Sequence, residues 1–282
     1  MNVPPLEAVR ALGAGAYTLE PVEPGFSGAR VWRGTEPGAP PVALKQLPDG
    51  TTAERVGRVH RWQARAAHLA FVPKARGAAF VSGRAFELCD WVPGAPVLAP
   101  TEAQLAAACE ALGALHAAWE SERTFGPCPA VLRRLAVLRA PLLPARTPLL
   151  ERARAAVCER VPLLLRELEP WERRAVPLHP CARDPRAEHV LFEGDRVSGL
   201  IDYGAADVDS PAADLARYLA DAAPRTFERA ARAYRGTGAP AELVGALVRT
   251  GAACALAGWL VRADAVSDRA AGRVRALLAS LS

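Results

Sequence analysis

The chain has 282 residues, with 35 Lys and Arg against 30 Asp and Glu, which gives a formal net charge of +5. Hydrophobic residues make up 51% and charged residues 23%, a composition typical of a folded globular protein and not of a disordered one. The basic residues are interleaved with acidic ones and form no long basic run, so the sequence argues against a nucleic-acid partner.

The first part of the chain is predicted to contain short strands and one helix. β-rich or alternating runs predict strands near residues 17–23, 29–33, 41–47, 80–81 and 85–91. A helix is predicted from a cap at Thr51 or Thr52 to Ala66, where apolar residues recur at helical spacing. The Pro/Gly-containing segment 92–96 then acts as a connector, which predicts a first domain over residues 1–92.

The second domain, residues 93–282, is predicted to be mainly helical. Thr101 and Glu102 cap a helix that runs to Trp119, and further helices are predicted over 149–168, from Pro211 onwards and over 240–263. Strand signals return only over 189–192 and 196–201, which predict one isolated hairpin. The Pro-rich stretch between the first two helices has no clear pattern.

Location and membrane contact can also be predicted from the sequence. The most apolar run, 251–261, is too short to span a bilayer, and the N-terminal residues lack the pattern of a secretory signal. The six cysteines are scattered without a CxxC pair, which argues against a zinc site or a disulfide framework. We therefore expect a cytoplasmic protein without a membrane partner.

Two features of the first domain suggest phosphate binding. The turn Gly25-Phe26-Ser27-Gly28 lies between two predicted strands, where backbone N–H groups can approach phosphates, although a hairpin needs such residues in any case. Lys45 lies in the predicted strand VALK and is one of only two lysines in an arginine-rich chain. A compact ammonium that contacts phosphates is one reason to keep Lys where Arg does not fit.

Two aspartates lie on loops that flank the predicted hairpin. Asp184 precedes the hairpin, and Asp202 follows it in the sequence Ile201-Asp-Tyr-Gly. Phosphoryl transfer needs one carboxylate to orient the attacking hydroxyl and another to hold the metal ions that bridge the phosphates. Each aspartate alone is also explained as a turn residue. The ordered set of glycine turn, strand lysine and two loop aspartates favours a phosphotransferase.

The stretch PLHPCARDPRAEHVLFEGDRVSGLIDYGAADVDSPAADLARYL resembles the core of the aminoglycoside phosphotransferase and choline kinase-like family. The family pattern is H-x-D-x-x-x-x-N, a hairpin, I-D-[FWY]-G and D-P-x-x-D-L-A. GFSGARVWR and VALK resemble its nucleotide loop and lysine strand, and FELCDWVPG resembles its hinge. The resemblance implies an α+β, bilobal protein-kinase-like fold, with a small β-rich N-terminal lobe and a larger helical lobe, that binds Mg-ATP.

The resemblance also implies roles for individual residues. Asp184 is implied to be the catalytic aspartate, and Asp214 to brace the catalytic loop. Asp202 is the implied ligand of Mg²⁺ or Mn²⁺, with His189 at the position of a second metal ligand. The implied ATP contacts are Gly25, Ser27 and Gly28 over the phosphates, Lys45 at the α- and β-phosphates, and the backbone of Glu87, Cys89 and Trp91 at the adenine edge.

Three positions depart from the family pattern. Ala182 replaces the His two residues before the catalytic Asp, and His189 replaces an Asn whose neutral oxygen suits Mg²⁺ better than an imidazole nitrogen does. The helix after Lys45 has no Glu where the partner of that lysine belongs; His60 lies near the expected turn, and Glu54 lies earlier. Two functions stay open: an ATP-dependent kinase of a small-molecule hydroxyl, acting as a monomer or homodimer, and a weak or inactive nucleotide-binding module of the same fold.

Four further residues near the aspartates also receive predictions. His116 is expected to be a packed core histidine, because it lies on an Ala- and Leu-rich helix. His179 is a candidate to replace the missing His of the catalytic loop. Asp207 and Asp209 either attract a cationic substrate or cap the helix that begins at Pro211, and the capping interpretation is favoured.

Overall fold

A computed structural model describes residues 3–22, 29–142, 145, 147–220, 222, 224–236, 238–262 and 268–281. The turn Gly25-Phe26-Ser27-Gly28 lies outside these residues. The chain divides into two compact units, Met1–Ala111 with Ala187–Ala206, and Leu112–Arg186 with Asp207–Ser282. The domain boundary predicted at residues 92–93 lies inside the first unit, because the segment after it pairs with the hairpin that belongs to that unit.

The secondary-structure elements of the described residues follow one another along the chain. They are α1 Leu6–Ala11, β1 Thr18–Pro21, β2 Arg30–Glu36, β3 Ala39–Gln46, α2 Ala53–Arg65, β4 Ala75–Val81, β5 Arg84–Asp90, β6 Ala95–Pro96, α3 Glu102–Ala118, β7 Thr124–Pro127, α4 Pro129–Arg139, α5 Pro148–Leu168, β8 Ala175–Cys181, β9 Val190–Glu193, β10 Arg196–Leu200, β11 Asp207–Asp209, α6 Pro211–Tyr218, α7 Pro224–Ala233, α8 Ala241–Arg262 and α9 Asp268–Ala279.

The first unit is built on an antiparallel sheet. Its strands, as far as the chain is described, lie in the order β1-β2-β3-β5-β4. Trp32, Val42 and Leu44 point into one core on this sheet together with Leu88. The turn between β4 and β5 has positive φ at Ser82 (50°) and Gly83 (75°), the left-handed conformation that tight hairpins favour. The predicted turn at these two residues is confirmed.

Helix α2 begins at its predicted cap. The Thr52 hydroxyl accepts a hydrogen bond from the backbone N–H of Arg55 at 3.2 Å. Val56, Val59 and Trp62 recur at helical spacing and are buried, and the helix contacts β4. The sequence pattern thus predicts both the helix and its buried face.

The predicted hairpin 189–201 is present but is not isolated. Strands β9 and β10 pair with each other, and β6 adds to β9. Gly94, just before β6, has φ +101°, and a Cβ there would lie 2.1 Å from Ser198 Oγ. Only glycine therefore suits this close approach.

The second unit is mainly helical, as predicted, but its described part also contains the sheet β11-β8-β7. The sequence predicts none of these strands, because β8 contains Pro177 and Pro180, and β7 ends at Pro127. Proline normally lowers the prediction of a strand. Helix α4 occupies the Pro-rich stretch that has no clear pattern, and Pro129 is its first residue.

Among the described residues, helix α8 is long and apolar enough over Ala241–Leu260 to cross a membrane, judged by length and composition alone. The sequence-based prediction considered only the run 251–261, which is too short to span a bilayer, whereas the apolar part of the helix is longer. The core helix of a soluble protein passes the same test, and α8 contacts α4, α5, α6 and α9. Length and composition are therefore weak evidence for a membrane span.

Candidate functional site

Lys45 lies at the centre of a charged cluster in the first unit. Strand pairing places it opposite Glu87, with Lys45 Nζ 4.0 Å from Glu87 Oε1. The ammonium also donates a hydrogen bond to Asp202 Oδ1. Burial disfavours the charged ammonium, but the carboxylates of Asp202 and Glu87 more than offset this effect and raise the pKa of Lys45. Lys45 therefore carries the positive charge that a phosphate contact requires.

Asp202 follows β10 in a left-handed conformation, with φ 63° and ψ 66°. This conformation is uncommon for a residue other than glycine, and such positions concentrate at functional sites. Asp202 Oδ1 accepts the backbone N–H of Gly204 at 3.4 Å. Burial acts to raise the pKa of Asp202, but the charge of Lys45 and the hydrogen bonds from Lys45 and Gly204 hold it below its usual value. Asp202 is thus ionised.

Asp202 and His189 offer two ligand atoms to a divalent cation. Asp202 Oδ2 and His189 Nε2 are 3.6 Å apart, less than twice a Mg²⁺–ligand distance of about 2.1 Å, so one ion can reach both. A carboxylate suits Mg²⁺, whereas an imidazole favours Mn²⁺ over Mg²⁺. The two side chains are therefore placed so that they could hold one divalent ion together.

Helix α2 supplies two side chains to the same cluster. His60 Nε2 lies 3.3 Å from Glu87 Oε2, and Arg55 donates to the carbonyl of Gly204 at 2.8 Å. Glu54 is exposed in the first turn of the helix. The carboxylate partner that the sheet provides for Lys45 is therefore Glu87 of β5. Helix α2 contributes His60, which contacts the other oxygen of Glu87.

The backbone of β5 is engaged on both sides. Glu87 pairs with Lys45 on β3 and with Ala78 on β4, and Cys89 likewise pairs with both strands. Burial raises the pKa of the Cys89 thiol to about 12, so it stays protonated. The Trp91 N–H donates to the Pro41 carbonyl at 3.0 Å. The backbone of Glu87 and Cys89, where adenine contacts are implied, is therefore engaged within the sheet.

Asp184 lies in the second unit, on the loop after β8, and faces two arginines. Its Oδ1 accepts from Arg217 Nε at 2.8 Å, and its Oδ2 lies 3.1 Å from Arg186 Nη2. Both carboxylate oxygens thus have a guanidinium partner. The sequence pattern did not single out either arginine, although Arg217 lies three residues after Asp214 and so shares its face of α6.

Asp214 braces the loop that carries Asp184. It is fully buried, and its two oxygens accept the backbone N–H groups of Ala182 at 2.8 Å and Arg183 at 2.7 Å. Arg183 has φ 65°, another left-handed residue that needs outside support. The loop is therefore held through its main chain, which explains how it is positioned with Ala at residue 182.

His116, Cys181 and Asp214 lie close enough together to suggest a metal site, but hydrogen bonds already engage them. His116 Nε2 is 3.0 Å from Asp214 Oδ2, and His116 Nδ1 is 2.9 Å from the Tyr234 hydroxyl. Cys181 Sγ donates to the His179 carbonyl at 3.4 Å. His116 is buried as predicted, and it belongs to a polar network around Asp214, which also binds the loop that carries Asp184.

His179 does not replace the missing His of the loop. Its Nδ1 lies 2.8 Å from the Pro180 carbonyl, and its ring lies 5.1 Å from the ring of His116. Its Nε2 is buried and has no hydrogen-bond partner among the described residues. Burial and the neighbouring His116 lower the pKa of His179 to about 4, so the ring is neutral.

Asp209 caps a different helix from the predicted one. It is fully buried and accepts the backbone N–H of Ala130 at 3.1 Å and Arg133 Nη2 at 2.5 Å, both on α4. The cap of α6 is instead Ser210, whose hydroxyl accepts a backbone N–H two residues later at 3.4 Å. The prediction for Asp209 was therefore wrong about its helix. Asp207 Oδ2 lies 3.4 Å from Arg183 Nη1.

The model of the phosphotransferase enzyme family matches residues 18–246 of this chain. The chain belongs to this family. Its match includes Lys45, Asp184 and Asp202, so the resemblance identified from the sequence is confirmed. A search of curated protein sequences finds no match.

Solved structures with the same fold include other phosphotransferases. Macrolide 2′-phosphotransferase MphH from Brachybacterium faecium is 23% identical over 94% of this chain and 92% of that chain, with a TM-score of 0.64. Amicoumacin kinase hAmiN, in complex with AMP-PNP, Ca²⁺ and Ami, is 12% identical over 97% and 92%, with a TM-score of 0.64. A thermostable aminoglycoside phosphotransferase APH(4)-Ia mutant, with AMP-PNP and hygromycin B, is 16% identical over 94% and 95%, with a TM-score of 0.58. The predicted α+β fold of this family is confirmed.

Proposed function

We propose that the protein is an ATP-dependent O-phosphotransferase that transfers a phosphoryl group to a hydroxyl of a small molecule. The observation that carries this proposal is the ion pair between Lys45 and Asp202, with His189 beside Asp202. A buried ammonium next to an ionised loop carboxylate is the pairing of phosphate contact and metal ligand that phosphoryl transfer needs. Membership of the phosphotransferase family supports the same reading.

Each charged residue has a defined task in this reaction. Lys45 binds the α- and β-phosphates of ATP, while Gly25, Ser27 and Gly28 cover them. Asp202 and His189 hold Mg²⁺ or Mn²⁺, which when bound neutralises the charge on the phosphates. Asp184 orients the acceptor hydroxyl and takes its proton late in the transfer. Asp214 keeps the Asp184 loop in place through its backbone.

The adenine ring is proposed to meet the chain after β5. Glu87 and Cys89 have their backbone groups in the sheet, so the carbonyl of Trp91 and the following connector are the better candidates for its polar edge. The acceptor is proposed to be a hydroxyl-bearing small molecule, because the similar structures include a macrolide 2′-phosphotransferase and a complex with hygromycin B. We propose a cytoplasmic monomer or homodimer.

One contact favours a second candidate function. The two carboxylate oxygens of Asp184 face Arg217 and Arg186, so the hydroxyl of an acceptor would have to share these oxygens with two guanidinium groups. Together with His189 in place of a neutral oxygen ligand, this supports a slow enzyme or an inactive nucleotide-binding module. Turnover distinguishes the two functions.

The test measures ADP release from ATP with a panel of hydroxyl acceptors, in Mg²⁺ and separately in Mn²⁺. The panel contains a macrolide, an aminoglycoside, an amino alcohol and a sugar. The enzyme reading expects acceptor-stimulated ADP release that Asp184→Asn abolishes. ATP binding by calorimetry without turnover on any acceptor, in either metal, would establish the nucleotide-binding module instead.

A further inference from the structure

We propose that Glu87 is the positioning residue of Lys45 and that His60 of helix α2 holds Glu87 in turn. The inference rests on the proposed function, because it gives Lys45 a phosphate to meet. The contacts that carry it are the 4.0 Å ion pair from Lys45 Nζ to Glu87 Oε1 and the 3.3 Å contact from Glu87 Oε2 to His60 Nε2. The two oxygens of one carboxylate thus face the two partners.

Lys45 has two carboxylate neighbours, Asp202 and Glu87, which differ in the structural element that carries them. Asp202 lies on a loop and is also the proposed metal ligand, so a bound ion would share its charge. Glu87 lies in the middle of β5, where its backbone pairs with strands on both sides. A side chain on such a framework is held more precisely than one on a loop. Glu87 is therefore the fixed partner that orients the ammonium whatever Asp202 binds.

Burial strengthens the argument that this contact matters. The side chains of Lys45, Glu87 and His60 are 12%, 17% and 19% exposed, so the Lys45–Glu87 ion pair is less screened than a pair on the surface. Glu87 also lines a cavity of about 250 Å³ with Val56 and Val59 of α2. Helix α2 is thus linked to Lys45 indirectly, because its His60 contacts Glu87 and Glu87 forms the ion pair with Lys45.

The first experiment separates positioning from folding by steady-state kinetics of ADP release. In Glu87→Gln we expect kcat to fall by about tenfold or more, because a displaced catalytic group loses up to about 10²-fold. The dissociation constant for ATP should stay within about threefold, since the variant also removes a negative charge near the phosphates. Glu54→Gln, on the exposed face of α2, is the matched control and should equal wild type.

A double-mutant cycle tests whether Glu87 acts through Lys45. In a Lys45→Ala background, Glu87→Gln should cause no further loss of kcat/KM. A full additional loss would show that Glu87 acts by another route. Glu87→Asp, which keeps the charge, should recover part of the activity, and equal kcat in Glu87→Gln and wild type would overturn the inference.

The two lysines of the chain allow a test that needs no turnover. Acylation by an N-hydroxysuccinimide ester, followed by peptide mass spectrometry, reports the reactivity of Lys45 with the exposed Lys74 as internal reference. Glu87→Gln and, more weakly, His60→Phe should speed the labelling of Lys45 several-fold relative to Lys74, because the amine is no longer held by the Glu87 carboxylate. An unchanged ratio in Glu87→Gln would refute the positioning role. Absence of ATP binding by the wild type would refute the proposed function instead.

Discussion

Replacing Asp214 with Asn tests how the loop that carries Asp184 is held. The buried carboxylate accepts two backbone N–H groups, from Ala182 and Arg183, and contacts His116. Asn keeps one acceptor oxygen and presents an NH₂ group to the other donor, so at least one buried N–H loses its partner. A hydrogen bond to a charged group contributes about 1.5–3 kcal/mol, and a buried donor without a partner costs about 1–3 kcal/mol.

These values predict a loss of about 3 kcal/mol in the free energy of unfolding of Asp214→Asn. At about 2–4 °C per kcal/mol for a chain of this size, Tm should fall by roughly 6–12 °C. Calorimetry at pH 7 measures the shift, with Asp207→Asn as the control. Asp207 makes a partly exposed ion pair at 3.4 Å, which contributes less than about 1 kcal/mol. Equal Tm values for the two variants would refute the bracing role of Asp214.

Four other predictions follow from single contacts. Lys45→Ala should weaken ATP binding by about 10- to 100-fold in calorimetry, because a charge-assisted phosphate contact is lost; unchanged affinity would exclude a phosphate role. His189→Asn should shift the metal preference of turnover from Mn²⁺ towards Mg²⁺, since an amide oxygen replaces an imidazole nitrogen; an unchanged ratio of rates would make His189 a structural residue. His179 has a folded-state pKa of about 4 against about 6.5 unfolded, so the unfolded state binds the extra proton and stability falls as pH decreases through this window. Between pH 7 and pH 5 the loss from His179 should be about 2 kcal/mol, and urea titration of His179→Phe should lack that part of the pH dependence. Gly94→Ala should destabilise the fold by at least about 2 kcal/mol in the same titration, because its Cβ would lie 2.1 Å from Ser198 Oγ at a positive φ; a wild-type midpoint would contradict this geometry.

Local signals predicted most of the regular elements. The cap at Thr52, the positive-φ turn at Ser82 and Gly83, and the reciprocal bonds of Thr101 with Gln104 at 3.0 and 3.2 Å all depend on neighbours in sequence. Such contacts can be predicted because the residues that make them are adjacent. The sheet β11-β8-β7 could not be predicted in the same way, since its pairing joins distant segments and its prolines lower the local strand signal.

The same difference between local and distant contacts applies to the candidate site. Lys45, Asp184 and Asp202 were identified because each lies in a short motif with a defined order. The partners of these residues come from elsewhere in the sequence: Glu87 is opposite Lys45 only through strand register, and Arg217 reaches Asp184 from α6. The sequence assigns Asp209 to the adjacent helix α6. In the structure it caps α4 instead, through the N–H of Ala130, which is 79 residues away in the sequence. Contacts between distant segments need the tertiary structure.

The central claim is that this chain moves a phosphoryl group from ATP to a small-molecule hydroxyl through Lys45, Asp202 and Asp184. Mass spectrometry of the acceptor panel after incubation with ATP and Mg²⁺ or Mn²⁺ tests it most directly, because it detects the phosphorylated product itself. We expect at least one acceptor to become a phosphate monoester with the wild type, and none with Asp184→Asn or Asp202→Ala. No product with a wild type that binds ATP, or equal product with Asp184→Asn, would contradict the account.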